Sequence, residues 1–166
     1  MMTPGRDPGS SSKSSSGTLT PLKARSLAPE LLLLKLKLHG RDKPLSFFMI
    51  QEETQGVQQS SDAPDSFVIP FIPDPASHAP NRRKVNPNEV ASGELRVLNG
   101  NGAEICASMP VSVSDADPLH QIKLVASARW ADAAGLDWGL TCFFEHSAEE
   151  GTLRAVTTSM EVAKST

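Results

Sequence analysis

The sequence predicts an all-β fold: an antiparallel sandwich or barrel of about seven or eight strands, built from hairpins and accompanied at most by short helices. Three observations support this prediction. Apolar and polar residues alternate with a period of two in several short runs. Turn sequences rich in Gly, Asn and Asp separate those runs, and no helical period extends beyond a turn or two. We therefore expect one β-rich domain with a single core.

A basic arm rich in Ser and Pro is predicted over residues 1–28, ahead of one globular domain over residues 29–166. The arm has only scattered leucines, so it cannot bury enough apolar surface to offset the entropy of ordering, and we expect it to be disordered. Four cations against one anion give the arm a charge of +3, so the domain must carry −6 to reach the net charge of −3. The charged residues of the arm are Arg6, Asp7, Lys13, Lys23 and Arg25.

Residues 31–38 are predicted to form the first strand of the domain. Leucine and lysine also favour helices, but the strict alternation and the turn sequence at 40–43 favour a strand. A second run, residues 44–50, is apolar on both faces, and we expect it to be covered on both sides. The two faces of the first strand are Leu32, Leu34, Leu36 and Leu38 on one side and Leu33, Lys35, Lys37 and His39 on the other.

Two loops flank the next apolar run. Residues 51–66 are polar without an apolar period, which predicts an exposed loop. In the run 67–73, Pro70 and Pro73 lack backbone donors, so this run is predicted to be a buried edge strand or an extended segment. Residues 74–88 are predicted to be a long surface loop with a basic patch, and loops of this length are often functional. The patch consists of Arg82, Arg83 and Lys84.

Hairpins make up the rest of the domain. An Asn-Gly-Asn-Gly turn joins predicted strands at 94–98 and 103–109. A second hairpin, formed by residues 122–131 and 136–146, holds both tryptophans and is predicted to be the centre of the core. A final strand over residues 152–162 is predicted to close the sheet. Its predicted inner face consists of Val156, Met160 and Val162.

Cysteine usage indicates a reducing compartment. Cys106 and Cys142 are both predicted to lie inside strands, and two cysteines are too few for the disulfide framework of a small secreted domain. We therefore expect buried thiols in an intracellular protein, cytoplasmic or in a virion. The longest apolar run, residues 31–34, is far shorter than the roughly 20 residues that cross a bilayer, and no secretion signal precedes it. Neither a classical signal nor a transmembrane segment is expected.

Groups with catalytic or metal-binding chemistry are sparse in the sequence. Asp115 and Asp117 lie in a turn sequence without the further ligands that calcium needs. Cys142 and His146 are four residues apart, which on a strand is roughly 13 Å and unsuited to a shared metal ion. No phosphate-binding loop, nucleophile elbow or zinc-protease motif occurs. The sequence therefore predicts no enzyme, no cofactor, no metal site and no small-molecule substrate.

Basic residues are the predicted binding residues. A cationic arm on an acidic domain can contact another copy of the chain, a nucleic acid or an anionic membrane surface. The arrangement is similar in layout to small viral coat and matrix proteins, in which a basic arm precedes a compact β domain. The candidate binding residues are Arg6, Lys13, Lys23, Arg25, Lys35, Lys37, Arg82, Arg83 and Lys84.

Three functional hypotheses follow. The first is a non-enzymatic structural or interaction protein, a self-associating β domain whose basic arm contacts a polyanion or a membrane surface, such as a viral matrix or coat component. The second is a monomeric adaptor that binds a protein partner through the proline-rich segment 67–87. The third is an enzyme whose site is assembled from distant residues, among them Asp115, His120, His146 and the cysteines.

Overall fold

Alternating side chains build strands that curve into a closed barrel. The computed structural model of the protein describes residues 18–59, 65–75, 82–99, 101–104, 108–115, 122–147, 149 and 151–164, with the backbone alone at Arg82 and Arg83. These residues contain one α-helix, α1 (Pro21–Leu27), a 3-10 helix (Pro87–Glu89) and ten strands. The strands are β1 (Leu31–Leu38), β2 (Leu45–Gln51), β3 (Gln58–Gln59), β4 (Ser66–Pro73), β5 (Arg82–Lys84), β6 (Val90–Leu98), β7 (Met109–Asp115), β8 (Ile122–Ala131), β9 (Leu136–Ser147) and β10 (Thr152–Lys164).

Eight of these strands close the barrel, and the pairings between them are antiparallel. Around the barrel the order is β4, β2, β1, β6, β7, β8, β9 and β10, after which β10 pairs with β4. The short strands β3 and β5 add to β4 and to β10. The predicted all-β antiparallel fold is confirmed, and of the two architectures that the sequence allowed, the chain adopts the barrel.

The strand β4 closes the barrel, so the prediction of an edge strand at 67–73 is wrong. β4 pairs with β10 along its first six residues and with β2 along its last three. The N–H and C=O groups of one strand residue point to the same side, and the Pro70 carbonyl accepts from the Glu52 N–H, just past the end of β2. Pro70 has no N–H to donate, and on that side of β4 it lies in the gap between the pairing with β3 and the pairing with β2. Pro73 lies beyond the last pair with β10.

Alternate side chains from all eight strands fill the interior of the barrel, as is typical for this strand number. Phe47 and Phe144 meet edge to face, with ring centroids 5.1 Å apart and planes at 67°. The predicted inner face of the first strand and the predicted core position of the β8–β9 hairpin are confirmed. The large side chains that are fully buried in the core are Phe47, Phe144, Leu32, Leu34, Leu36, Met49, Ile69, Leu95, Leu140, Leu153, Met160 and Val97.

The helix α1 packs on one end of the barrel, so the domain begins earlier than predicted. The Thr20 side chain caps the helix by accepting from the Lys23 N–H at 3.2 Å, and Pro21 occupies its first turn. Leu19 before the cap and Ala24 within the helix are both buried in the core, an arrangement that fixes the entry of the chain. Residues 18–28 therefore belong to the folded domain, whereas residues 1–17 of the predicted arm lie outside the described residues.

The predicted strand 152–162 is present, but one residue of its predicted inner face, Val156, does not point into the barrel. The register with β9 shifts between Ala155 and Thr157, which leaves Val156 as the extra residue of a bulge. Val156 is consequently half-buried and outside the inner row, whereas Met160 and Val162 are buried as predicted. A bulge reverses the facing of all residues on one side of it, which period-two counting does not reveal.

The predicted loop 74–88 contains regular structure in its second half. β5 pairs with the first residues of β10, and the 3-10 helix follows with Asn86 as its cap. The Asn86 side chain accepts from the Asn88 N–H, while the Glu89 carboxylate accepts from the Asn86 N–H at 2.9 Å. Residues 76–81 lie outside the described residues.

Candidate functional site

The predicted basic residues that the structure describes do not form one patch. Lys23 and Arg25 lie on α1, at the end of the barrel where β1 begins, whereas Lys84 on β5 lies at the other end, beside the first residues of β10. Lys35 and Lys37 lie between these ends on the outer face of β1. Outside the described part of the chain lie Arg6, Lys13 and the side chains of Arg82 and Arg83.

Arg25 anchors the segment that follows β2. Its guanidinium donates to the Gln51 side-chain carbonyl at 3.2 Å and to the backbone carbonyls of Glu52 and Gln55 at 3.0 Å each. Hydrogen bonds from Thr54 to the Glu52 carboxylate lower the pKa of that group and order the same segment. Arg25 is therefore a structural residue, and these hydrogen bonds leave its guanidinium less available to bind a mobile partner.

The lysines of β1 differ in their surroundings. Lys35 is half-buried and stands directly opposite Glu94 of β6 on one side and Ser46 of β2 on the other. Opposite charges at paired outer positions attract one another, so Glu94 offsets part of the field of Lys35. Lys37 is exposed and stands opposite the neutral Ser92, so its positive charge is offset less than that of Lys35.

Cys142 lies inside the barrel and is a poor candidate for a nucleophile. Burial raises the pKa of its thiol to about 12, and a hydrogen bond with the Thr158 hydroxyl opposes the shift only in part. His146 is half-buried near the end of β9, where it borders an open groove of about 520 Å³ together with Asp115 and Lys123. Among the described residues, no group of three or more His, Cys, Asp or Glu side chains could hold a metal ion. The remaining candidates, Cys106, Asp117 and His120, lie outside the described residues.

One outer row of the barrel is apolar across four neighbouring strands. Ile50 of β2 pairs with Ile72 of β4 on one side and with Leu31 of β1 on the other, and Leu31 pairs in turn with Leu98 of β6. We call these four residues the apolar row. With strands about 4.8 Å apart, the row is roughly 14 Å long. Three of its members are half-buried and Leu98 is buried.

The opposite half of the barrel carries hydroxyl groups at comparable outer positions. Ser112 of β7 pairs with Ser127 of β8, Ser127 with Thr141 of β9, and Thr141 with Ser159 of β10. We call these four residues the hydroxyl row. The outer face of the barrel therefore carries a polar row on one half, as is typical of a solvated sheet, and an apolar row on the other half.

The apolar row is only partly indicated by the sequence. The run 44–50 is apolar on both faces, and the structure buries only one of them, at Phe47 and Met49, while Ile50 and Phe48 on the outer face are half-buried. Placing Ile50 beside Ile72 and Leu31 beside Leu98 requires the register between strands, which pairs residues far apart in the chain. The alternation of a single strand does not contain that information.

Comparisons with protein-family models, curated proteins and solved structures find no match for this chain. Among the described residues no helix has the length and apolar character needed to cross a bilayer.

Proposed function

We propose that the protein is a non-enzymatic structural or interaction protein that self-associates through the apolar row. The single observation behind the proposal is the contrast between the apolar row and the hydroxyl row. Outer strand positions that remain in water normally carry polar side chains, and aliphatic side chains aligned across four strands instead resemble the inner face of two stacked sheets. Phe48, a half-buried residue on the same outer face of β2, widens this surface.

A second copy of the chain is the partner that the flanking charges favour. Glu53 borders a surface groove together with Ile50, so an acidic flank adjoins one side of the apolar row. Lys35 and Lys37 follow Leu33 on the outer face of β1 and form a basic flank on the other side. A two-fold axis that runs along the row would place the acidic flank of each copy against the basic flank of its partner.

The proposal includes a basic arm that contacts a polyanion or an anionic membrane surface. Because the Arg25 guanidinium is bonded to the segment after β2, the cations available for this contact are those of Arg6, Lys13 and Lys23, with exposed Lys37 and Lys84 on the barrel. A chain that assembles through one barrel face and holds a polyanion with its arm would suit a coat or matrix component.

The self-association is tested by sedimentation velocity of the full chain over a range of protein concentrations. We expect a reversible dimer whose dissociation constant rises by roughly tenfold or more in Ile50→Lys, because a charged side chain would be buried in an apolar contact. The matched control is Thr141→Lys, which introduces the same side chain at the central outer position of the hydroxyl row and should leave the dissociation constant unchanged.

Two outcomes would overturn the self-association. One is a wild-type chain that stays monomeric at every concentration, and the other is an equal effect of Ile50→Lys and Thr141→Lys. Far-ultraviolet circular dichroism and denaturant unfolding of both variants show whether the barrel is retained. A folded monomer would direct attention to the adaptor hypothesis, in which a different protein binds the proline-rich segment 67–87.

The polyanion contact is tested separately with heparin and with anionic vesicles. We expect binding that weakens steeply with salt and that falls when Arg6, Lys13 and Lys23 are all changed to Gln. The control changes Lys35, Lys37 and Lys84 to Gln and removes the same charge from the barrel. A larger loss in the control than in the arm variant would assign the contact to the barrel surface and reject the role of the arm.

A further inference from the structure

A cavity of about 290 Å³ lies at the end of the barrel, between α1 and the β8–β9 hairpin. β6 and β8 end at this opening and β9 begins there, so the cavity sits at the mouth of the barrel, where such folds commonly bind ligands. Leu27, the last residue of α1, is 45% exposed although it borders this cavity. Its walls include Leu27, Val97, Trp130, Asp132 and Trp138.

The two tryptophans form an ordered aromatic wall. Trp130 and Trp138 are directly opposite on β8 and β9, with ring planes inclined by 13° and centroids 6.3 Å apart. The Trp138 indole N–H donates to the Asp132 carboxylate at 2.8 Å, which fixes the orientation of that ring. Side chains held in this way need little reordering when a ligand binds.

Asp132 places a negative charge at the edge of the same cavity. One of its oxygens accepts from the backbone N–H groups of Ala134 and Leu136, and the other accepts from Trp138. All three donors are neutral, and the ion pairs between described residues do not include Asp132. The carboxylate is therefore held in place by hydrogen bonds without a partner of opposite charge among these contacts.

We infer that this cavity binds a small organic cation, such as a quaternary alkylammonium group with an apolar body. Indole rings attract cations, and half-buried Trp130, with Trp138 stacked behind it and only 3% exposed, supplies the accessible ring. The aliphatic walls accept alkyl groups, and the Asp132 carboxylate supplies the opposite charge. A neutral apolar ligand would gain only the contact with the walls, and an anion would be repelled by Asp132. The inference rests on residues other than those of the proposed self-association, because none of the four residues of the apolar row borders this cavity.

The test follows the two indole N–H signals of the full chain by proton NMR. The chain has only two tryptophans, and both border the cavity, so each indole signal reports on it. The probes are choline and 3,3-dimethylbutan-1-ol, which have the same shape and differ in that one has a cationic nitrogen where the other has a neutral carbon. We expect saturable shifts with choline and an affinity for the alcohol weaker by on the order of tenfold.

Charge substitutions on α1 provide a second, independent readout. Leu27→Lys should weaken choline binding and Leu27→Glu should strengthen it, by several-fold in each direction, with little effect on the alcohol. The matched controls are Leu22→Lys and Leu22→Glu on the same helix, since Leu22 is 83% exposed and does not border the cavity. These controls should leave the choline affinity unchanged.

The inference is overturned by three results. The first is equal affinity for the two probes, which would indicate a cavity for neutral apolar ligands. The second is an absence of saturable shifts with choline on the wild-type chain. The third is an indole shift that follows protein concentration alone, which would assign the cavity to a second copy of the chain. The probe comparison uses the wild-type chain, so it does not depend on whether the variants fold.

Discussion

Inside the barrel, the Thr158 hydroxyl lies 3.1 Å from Cys142 Sγ and 3.2 Å from Met49 Sδ. These side chains come from β10, β9 and β2, so the cluster joins three strands at one point of the core. The Thr158 hydroxyl has found partners in two polarisable sulfur atoms, which lowers the cost of burying it. These two contacts explain how the Thr158 hydroxyl is accommodated in the apolar interior of the barrel.

We predict that Cys142 makes stability fall at alkaline pH. The pKa of its thiol is about 12 in the folded chain and about 9 when exposed, so between these values the unfolded state loses the proton first. The contribution is fully present below pH 9 and is lost as pH rises toward 12, by up to about 1.4 kcal/mol per pH unit. Denaturant unfolding of the wild type and of Cys142→Ala at increasing pH measures the difference.

The wild type and Cys142→Ala share all other titrating groups, so the difference between their stabilities reports on Cys142 alone. The wild-type advantage over Cys142→Ala should shrink above pH 9, and the chain has no tyrosine to add a further ionisation in that range. An advantage that stays constant up to pH 11 would contradict the burial of the thiol.

We predict that Arg25 stabilises the fold and that Lys23 does not. Arg25→Met removes three hydrogen bonds, one to the last residue of β2 and two to the segment after it, but keeps much of the side-chain length. It should lower the free energy of unfolding by about 1–2 kcal/mol. Lys23→Met removes the same charge from the same helix at an exposed position and should change it by less than about 0.5 kcal/mol. Equal losses in chemical denaturation would mean that charge alone matters.

At the element scale, Gly93 sets how closely β6 and β7 approach. A Cβ at Gly93 would lie 3.1 Å from Val111 Cβ and 3.3 Å from Leu36 Cδ2. The Val111 Cβ is attached to the backbone of β7 and cannot turn away, so the strands would have to separate. The position is glycine because the interior has no room for a side chain there.

Accordingly, Gly93→Ala should destabilise the protein by about 1–3 kcal/mol in denaturant unfolding. Gly56→Ala is the matched control, since a Cβ there meets nothing within 4 Å, and its stability should be unchanged or slightly higher. A stable Gly93→Ala with retained cooperativity would show that β7 can shift outward at little cost.

The elements that the sequence predicts correctly are those that local alternation defines. The strands β1, β8 and β9 have their buried faces where a period of two places them, because each lies against the core along one face. The sequence does not indicate α1, because its seven residues include Pro21 and only one buried position, Ala24, so it shows no apolar period. Its stability depends on packing against the barrel, which local sequence does not display.

The candidate sites were less predictable than the strands for the same physical reason. The apolar row needs the register between four strands, and the mouth cavity needs α1 to meet the β8–β9 hairpin. Composition indicates the cations but not the contacts of Arg25, because its hydrogen-bond partners, such as Gln55, lie about 30 residues further along the chain. Contacts between distant segments are specified by the whole fold.

At the scale of the whole molecule, the segment that precedes β1 packs on one end of the barrel. Leu19 and Ala24 enter the core from this segment, whereas Leu22 on the same helix is 83% exposed. A chain shortened to begin at residue 28 would therefore lose part of the core along with the arm. Any experiment on the function of the arm has to leave residues 18–28 in place.

We predict that Leu19→Ala lowers the free energy of unfolding by about 2–4 kcal/mol, because it removes a buried side chain from the core. Leu22→Ala makes the same chemical change at an exposed position and should alter it by less than about 0.5 kcal/mol. Thermal and denaturant unfolding of the full chain measure both. Similar small effects of the two substitutions would mean that the helix is only loosely attached to the barrel.

The pairing of β4 with β10 joins residues about 90 positions apart, whereas most other neighbours around the barrel are joined by short connections. Closing so long a loop costs chain entropy before any contact compensates for it, so the hairpins should form early and the β4–β10 ladder late. Until that step, two strands have unpaired edges that can add to strands of other chains. The slowest step of folding is therefore also the period of greatest risk of misassembly, and the yield of refolding should fall as protein concentration rises.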